Sequence, residues 1–431
     1  MNTTASPNPM QDTAANAPAG DRRAGQRIGA WMPFLAILVP INLILSVDRN
    51  AFVIVASQIQ SEFGFSLTRM SYVLASISWT YAAFQLPSGW LVQRFGFRRL
   101  MAVALVGWSI AIGFMPLATG FWSLLLLRLL LGAAQAPDWP SSIAAIRAWF
   151  PLAQRSRCTA IALSGQYIGP VIGSIVTGSV TYRYGWRVCF YAYAVLGIAL
   201  ALMWIAGTRS VAAPAVAPAG PPKATTGTTS FPAFLKLPNT WAMAALYFCL
   251  ICTQSFFLSW LPTYLVQEKG VTLSASGWYT AIPWLTLYVS VTLAGFVADH
   301  VLTRTGSLKL ARLPAAVVGF CLGGVSLSLV PWLSSMAAVI ATLCLSLAGV
   351  GIVQSMVWST VQDIGGDRTP VLVGWTAFWG NFSAGLFPIV MAYLVKWSGG
   401  WQYALLVPLV FSAIGIGLVF CLRLPRHAPT G

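Results

Sequence analysis

Residues 124–151 read LLLLRLLLGAAQAPDWPSSIAAIRAWFP. Arg128 stands inside an apolar run long enough to cross a bilayer, and a charge at that depth costs about 3 kcal/mol on insertion scales unless it faces protein or water. Gln135 follows two helical turns on along nearly the same face, and Pro137, Asp138 and Pro140 then set an acid beside carbonyls that proline leaves unbonded. A polar stripe in a membrane helix marks a site. The plainer reading is a buried ion pair that only locks helices together, and for Asp138 a cap on a kinked helix.

Composition fixes the class. With 57% apolar and 8% charged residues and a mean hydropathy of +0.74, the chain is no soluble globule, for which a charged share of about 25% is usual. Apolar runs of about 20 residues separated by short polar breaks imply spanning helices and exclude a barrel, whose strands would alternate. The seven cysteines show no ligand spacing and read as small core residues, so neither a metal nor a cofactor is called for.

In chain order, residues 1–28 form a polar tail, too unlike a signal peptide to be cleaved. Twelve spans are expected at 29–58, 70–92, 100–117, 121–150, 157–181, 186–207, 240–267, 274–298, 308–332, 335–361, 371–396 and 401–424. A Pro, Ala, Thr and Gly-rich linker, 208–239, divides a six-helix bundle at 29–207 from a second at 240–424, and 425–431 is a short tail. GWLVQRFGFRR (89–99) is echoed by GFVADHVLTRTGSLKLAR (295–312), which points to duplication and two pseudo-symmetric bundles.

Of 25 Lys and Arg, eighteen fall on the side of the N-terminal tail and five on the other: Arg69, Arg183, Arg187, Lys269 and Lys396. By the positive-inside rule both termini are cytoplasmic, in a multi-pass protein of the inner (plasma) membrane. The net charge of +16 reports topology and attraction to anionic lipid; nucleic acid is excluded as a partner because no soluble basic domain exists. Arg49 and Arg128 remain inside spans, and of nine acids only Asp48 and Asp138 join them. Both histidines lie outside, which leaves carboxyls as the proton carriers.

These residues carry a resemblance. VDRNAFVIVA (47–56), GWLVQRFGFRR, RLLLGAAQAPDWP (128–140), AWFP, GWRVCFY, WLPTYL (260–265) and GNFSAGLFP (380–388), in this order and spacing, resemble the major facilitator superfamily and within it the anion:cation symporters, which include sugar-acid and hexuronate transporters, vesicular glutamate transporters and sialin. The resemblance implies Arg49 and Arg128 as anion-binding residues, with Tyr81, Gln166 and Asn381 hydrogen-bonding substrate. It implies Asp48 as a proton-coupling carboxyl. It also implies a protonatable glutamate where this chain has Gln135, and an amide cannot serve as carrier. Asp138 is the other candidate for proton coupling, but it lies three residues and about 60° around the helix from Gln135, so a role swap needs local rearrangement and Asp48 alone is favoured. Ser46 stands where sugar-acid members often have tyrosine. Gly89, Arg94, Gly96, Arg98, Asp299 and Arg304 match the cytoplasmic gating motif, in which Gln93 replaces an aspartate, so a weaker first-half latch is expected.

Trp31, Trp122, Trp186, Trp241 and Trp401 sit near span ends as interfacial belt residues, Trp139 and Trp358 border the cavity, and Gly165, Gly169 and Gly173 allow close helix approach. An enzyme would need a nucleophile with its base or a metal cluster, and a receptor would need an output domain. The expectation is therefore a monomeric secondary transporter of a small organic anion such as a sugar acid, coupled to protons by alternating access. Uniport or exchange of an organic or aromatic acid is the other reading, and a membrane sensor a remoter one.

Overall fold

The computed structural model describes residues 31–150, 152–209, 235–365 and 369–422. The expected tails, 1–28 and 425–431, and most of the 208–239 linker lie outside the described residues. Among the described residues all regular structure is helical. The first half of the chain holds α1 (Val39–Glu62), entered through a π-helical turn at Phe34–Leu38, then α2 (Leu67–Phe95), α3 (Phe97–Phe114), α4 (Phe121–Gln135), α5 (Asp138–Trp149), α6 (Leu152–Tyr184) and α7 (Trp186–Arg209). The second holds α8 (Pro238–Ser259), α9 (Leu261–Gln267), α10 (Leu273–Thr305), α11 (Leu308–Leu329), α12 (Met336–Gly365), α13 (Thr369–Ser398), α14 (Trp401–Ala404) and α15 (Val407–Cys421).

Helix occupies all twelve expected stretches, and ten of the helical segments are long and apolar enough to cross a membrane. The other two stretches are polar or broken. α2 is 29 residues long but includes Ser71, Tyr72, Ser76, Ser78, Thr80, Tyr81 and Gln85. α4 and α5, of 15 and 12 residues, are two pieces of one path. Pro137 and Pro140 have no N–H for the carbonyls of Ala133 and Ala136, which breaks the helix between them.

The two halves use the same punctuation. Ser66 caps α2 by accepting from the Arg69 N–H at 3.2 Å, and Thr272 caps α10 by accepting from Ala275 at 3.3 Å. Gly96 (φ +80°) and Gly306 (φ +64°) end these two helices in conformations that a side chain disfavours.

In the first half α1 lies along α6, α2 against α4, and α3 against α4 and α7. The glycines of α6 make the first contact close: a Cβ on Gly169 would lie 2.5 Å from that of Ser46 and 2.8 Å from the Leu43 carbonyl oxygen. In the second half α12 lies against α10 and α11, and α8 and α11 against α15. The halves meet where α2 runs along α13 and α6 along α10. Tyr167 and Gln354 are hydrogen-bonded across the halves in mid-helix, and three further contacts between them lie towards one end of the molecule. The Tyr72 and Tyr393 hydroxyls are 3.3 Å apart, Gln267 Nε2 donates to Gln60 Oε1 at 3.4 Å, and a Cβ on Gly277 would lie 2.4 Å from the Ser174 carbonyl. At the other end Gln93, Arg94, Asp299 and Arg304 are exposed.

Two of the five expected belt tryptophans are core residues instead. Trp186 and Trp401 each follow a glycine at the start of a helix that folds back into the protein; Trp186 Nε1 donates to Glu62 Oε2, and Trp401 packs on Phe256, Trp260 and Tyr264. Trp122 and Trp241 are exposed as a belt requires. Cys158, Cys189, Cys249 and Cys252 are buried, whereas Cys321 and Cys421 are exposed.

Candidate functional site

A sevenfold spacing on two facing helices builds the site. On α1, Asn42 and Arg49 are two turns apart; on the α4–α5 path, Arg128, Gln135 and Ser142 repeat the interval. The two lines meet side to side. Arg49 Nε donates to Gln135 Oε1 at 2.8 Å, and Asn42 Nδ2 donates to Ser142 Oγ at 3.3 Å. Gln166 of α6 extends the network, its Nε2 donating to Asn42 Oδ1 at 3.1 Å.

Arg49 is half-buried, with its guanidinium carbon 4.2 Å from the centre of the Tyr81 ring on α2. Its Nη2 and the Gln135 Nε2 are buried without hydrogen-bond partners. The arrangement is a cation held at one N–H and by one face, with donor capacity left over.

The acids differ in their surroundings. Asp138 is fully buried, its carboxylate oxygens have no hydrogen-bond partner, and the charge that acts on it is Arg49, with Ser142 beside it. It does not cap α5, whose N-cap residue is Pro137 and whose first N–H groups receive no side chain. Asp48, equally buried and unbonded, lies one position off the Arg49 line. Besides its neighbour Arg49, the groups it acts on are Cys189 and Tyr193 of α7, where the Tyr193 and Thr177 hydroxyls are 2.8 Å apart.

Arg128 is sealed from solvent nearer the cross-linked end. Its Nε and Nη2 reach the Val73 and Leu74 carbonyls of α2 at 3.3 and 3.4 Å, and its guanidinium carbon is 4.3 Å from the Phe52 ring centre. The buried-ion-pair reading does not describe it, since no carboxylate pairs with Arg128 among the described residues. Ser46 packs against Gly169. Asn381 is half-buried and bonds only its own helix, donating to the Ala377 carbonyl at 2.9 Å.

From the second half come residues that sequence reasoning missed. Gln354 Nε2 donates to the Tyr167 hydroxyl at 3.3 Å, and Tyr247 packs on Trp358 with ring centres 5.0 Å apart, its own ring seated on Gly380. Tyr247 is within electrostatic reach of Tyr167 and Tyr81. Asn42 was also missed, although an amide two turns before an intramembrane arginine was a readable signal. Among the described residues no His, Cys, Asp or Glu cluster fits a metal ion.

The helices and the buried polar network define a multi-pass membrane protein with a charged site between its helices, and such a site suits passage of a solute rather than bond chemistry. The signature of the Major Facilitator Superfamily matches residues 38–388, and the chain belongs to that family; it is a transporter and not an enzyme. A probable galactarate/D-glucarate transporter of Bacillus subtilis is 28% identical over 92% of this chain and 91% of its own length. A D-galactonate transporter of Escherichia coli is 29% identical, covering 89% and 92%. A hexuronate transporter of Bacillus subtilis is 26% identical, covering 89% and 93%. The fold is similar to that of a bacterial homologue of the human lysosomal transporter Spinster, with a TM-score of 0.76 at 17% identity over 91% of this chain and 96% of that one.

Proposed function

We propose that this protein carries a small organic anion, a sugar acid by analogy with its relatives, together with a proton across the inner (plasma) membrane. The observation that carries the reading is Arg49: a part-buried guanidinium in a membrane span, bonded to an amide and to no carboxylate, with its Nη2 unpartnered. An anion arriving there would gain charge-assisted bonds in a medium of low dielectric. In this reading Arg49 is the anion-binding group, Tyr81, Gln135 and Gln166 line the site, Asn381 and Gln354 face it from the second half, and Arg128 adds positive potential from behind.

Twelve spans in two six-helix bundles, with both termini and the 208–239 linker cytoplasmic, complete the proposal. The bundles would rock about the α2–α13 and α6–α10 seams. Cross-links at one end and exposed motif residues at the other support a state open towards the cytoplasm. One observation favours a second reading: Tyr81, Tyr167, Tyr247 and Trp358 give the site more aromatic surface than a polyol needs, which suits an aromatic carboxylate.

Uptake into liposomes containing only this protein tests both readings, with D-galactonate, D-glucarate, D-glucuronate and benzoate as labelled probes. Saturable uptake of a sugar acid supports the first and of benzoate alone the second. Uptake of none of the four rejects carboxylate transport of either kind.

A further inference from the structure

The geometry points to Asp138 as the group that exchanges one proton per cycle, by competing with the substrate carboxylate for the guanidinium of Arg49. This rests on the proton-coupled reading above. The break between α4 and α5 is the local rearrangement that lets an acid three residues beyond Gln135 address the same arginine. Gln135 takes the Nε edge of Arg49 as a neutral acceptor at 2.8 Å, and Tyr81 lies under the guanidinium face. What remains is the Nη side, where Nη2 has no partner. Two carboxylates have claims on it. One is Asp138, buried with the Ser142 hydroxyl beside it and acted on by Arg49; the other is the substrate's.

The groups that face Asp138 are few. From α1 it is Arg49, from α2 Tyr81 and from α5 itself Ser142, while the neutral Gln135 of α4 is bonded to Arg49. α3 carries charge only at Arg98 and Arg99, at its start, and the mid-helix phenol of α6, Tyr167, is bonded to Gln354. With Asp138 ionised, the Arg49 charge is already matched, and a monoanion must displace that carboxylate from it. With a proton on Asp138, the Arg49 charge is unmatched and a monoanion neutralises it. The proton on the Asp138 carboxyl therefore enters with the anion. When the anion leaves Arg49 on the cytoplasmic side, the freed guanidinium favours the ionised carboxylate and the proton leaves in turn. One proton and one monoanion cross, and no net charge moves. Asp48, beside Arg49 in the chain and acting also on Tyr193 and Cys189, is assigned no part in this exchange.

The test compares Asp138→Asn and Asp48→Asn with wild type in proteoliposomes, with labelled D-galactonate as probe, by accumulation on an inward proton gradient and by counterflow exchange. Asp138→Asn is expected to exchange at every pH but not accumulate, Asp138→Glu to accumulate, and Asp48→Asn to accumulate. Gradient-driven accumulation by Asp138→Asn overturns the assignment, as does loss of accumulation with retained exchange in Asp48→Asn, or a wild type that exchanges without responding to the gradient. A wild type that neither exchanges nor accumulates D-galactonate counts against the sugar-acid reading and not against this one. The assignment then stands or falls on the pH-difference infrared spectrum of the protein in lipid without substrate. Its protonated-carboxyl band is expected to vanish in Asp138→Asn and survive in Asp48→Asn, and the reverse overturns it.

Discussion

Replacing Arg49 with lysine keeps the charge and removes the fork. The Nε bond to Gln135 at 2.8 Å has no counterpart in a lysine ammonium, and a single point donor cannot hold a carboxylate at two N–H groups. A hydrogen bond to a charged group is worth about 1.5–3 kcal/mol, and losing one from the bound state lowers affinity roughly 10- to 150-fold at about 1.4 kcal/mol per decade. Because Arg49 is only half-buried, the lower part of that range is expected. Arg49→Ala removes the charge as well and abolishes binding. A thermal-shift titration reads this directly, because a ligand at about 100 times its Kd adds about 2.7 kcal/mol to the folded state. D-galactonate titrated against detergent-purified wild type and Arg49→Lys gives the ratio of the two constants. A ratio below about threefold would refute bidentate binding at Arg49.

The other predictions follow from single contacts. Gly169→Val should lower the midpoint of thermal unfolding, since its Cβ meets the Leu43 carbonyl at 2.8 Å and overpacking of this kind costs about 1–3 kcal/mol; Gly417→Ala, with nothing within 4 Å, should not lower it. Arg312 Nε donates to Asp363 Oδ2 at 3.0 Å with both side chains largely buried, so Asp363→Ala should destabilise by about 3 kcal/mol, seen in the same melting assay, by stranding the arginine. Gln135→Glu puts a second carboxyl beside Arg49, so uptake of a monoanion should become sensitive to an inside-negative potential, at roughly 2.3 kcal/mol per charge per 100 mV.

Helix positions were readable because each rests on a local signal: an apolar run, a capping Ser66 or Thr272, a glycine such as Gly96 or Gly306 where the chain must turn. The intramembrane charges were readable for the opposite reason, since Arg49, Arg128, Asp48 and Asp138 interrupt runs that tolerate no charge without cause. Their partners were not, because partnership depends on how two helices rotate against each other. Arg128 and Arg49 look alike in sequence, yet one is sealed under Phe52 against carbonyls of α2, and the other is only part-buried, held over Tyr81 and bonded to Gln135. An unbroken helix turns Asp138 away from the face of Gln135; Pro137 and Pro140 imply a break, but not its direction. Trp186 and Trp401 misled because a tryptophan after a glycine at a span end suits the interface and the core equally well.

The measurement that tests the account most directly separates the two driving forces on the wild-type protein. In proteoliposomes, labelled D-galactonate is offered once with an inward proton gradient at zero potential and once with an inside-negative potential at equal pH. Accumulation is expected in the first case and only equilibration in the second, with both abolished in Arg49→Ala. Accumulation driven by the potential at equal pH, or undiminished uptake by Arg49→Ala, would contradict it.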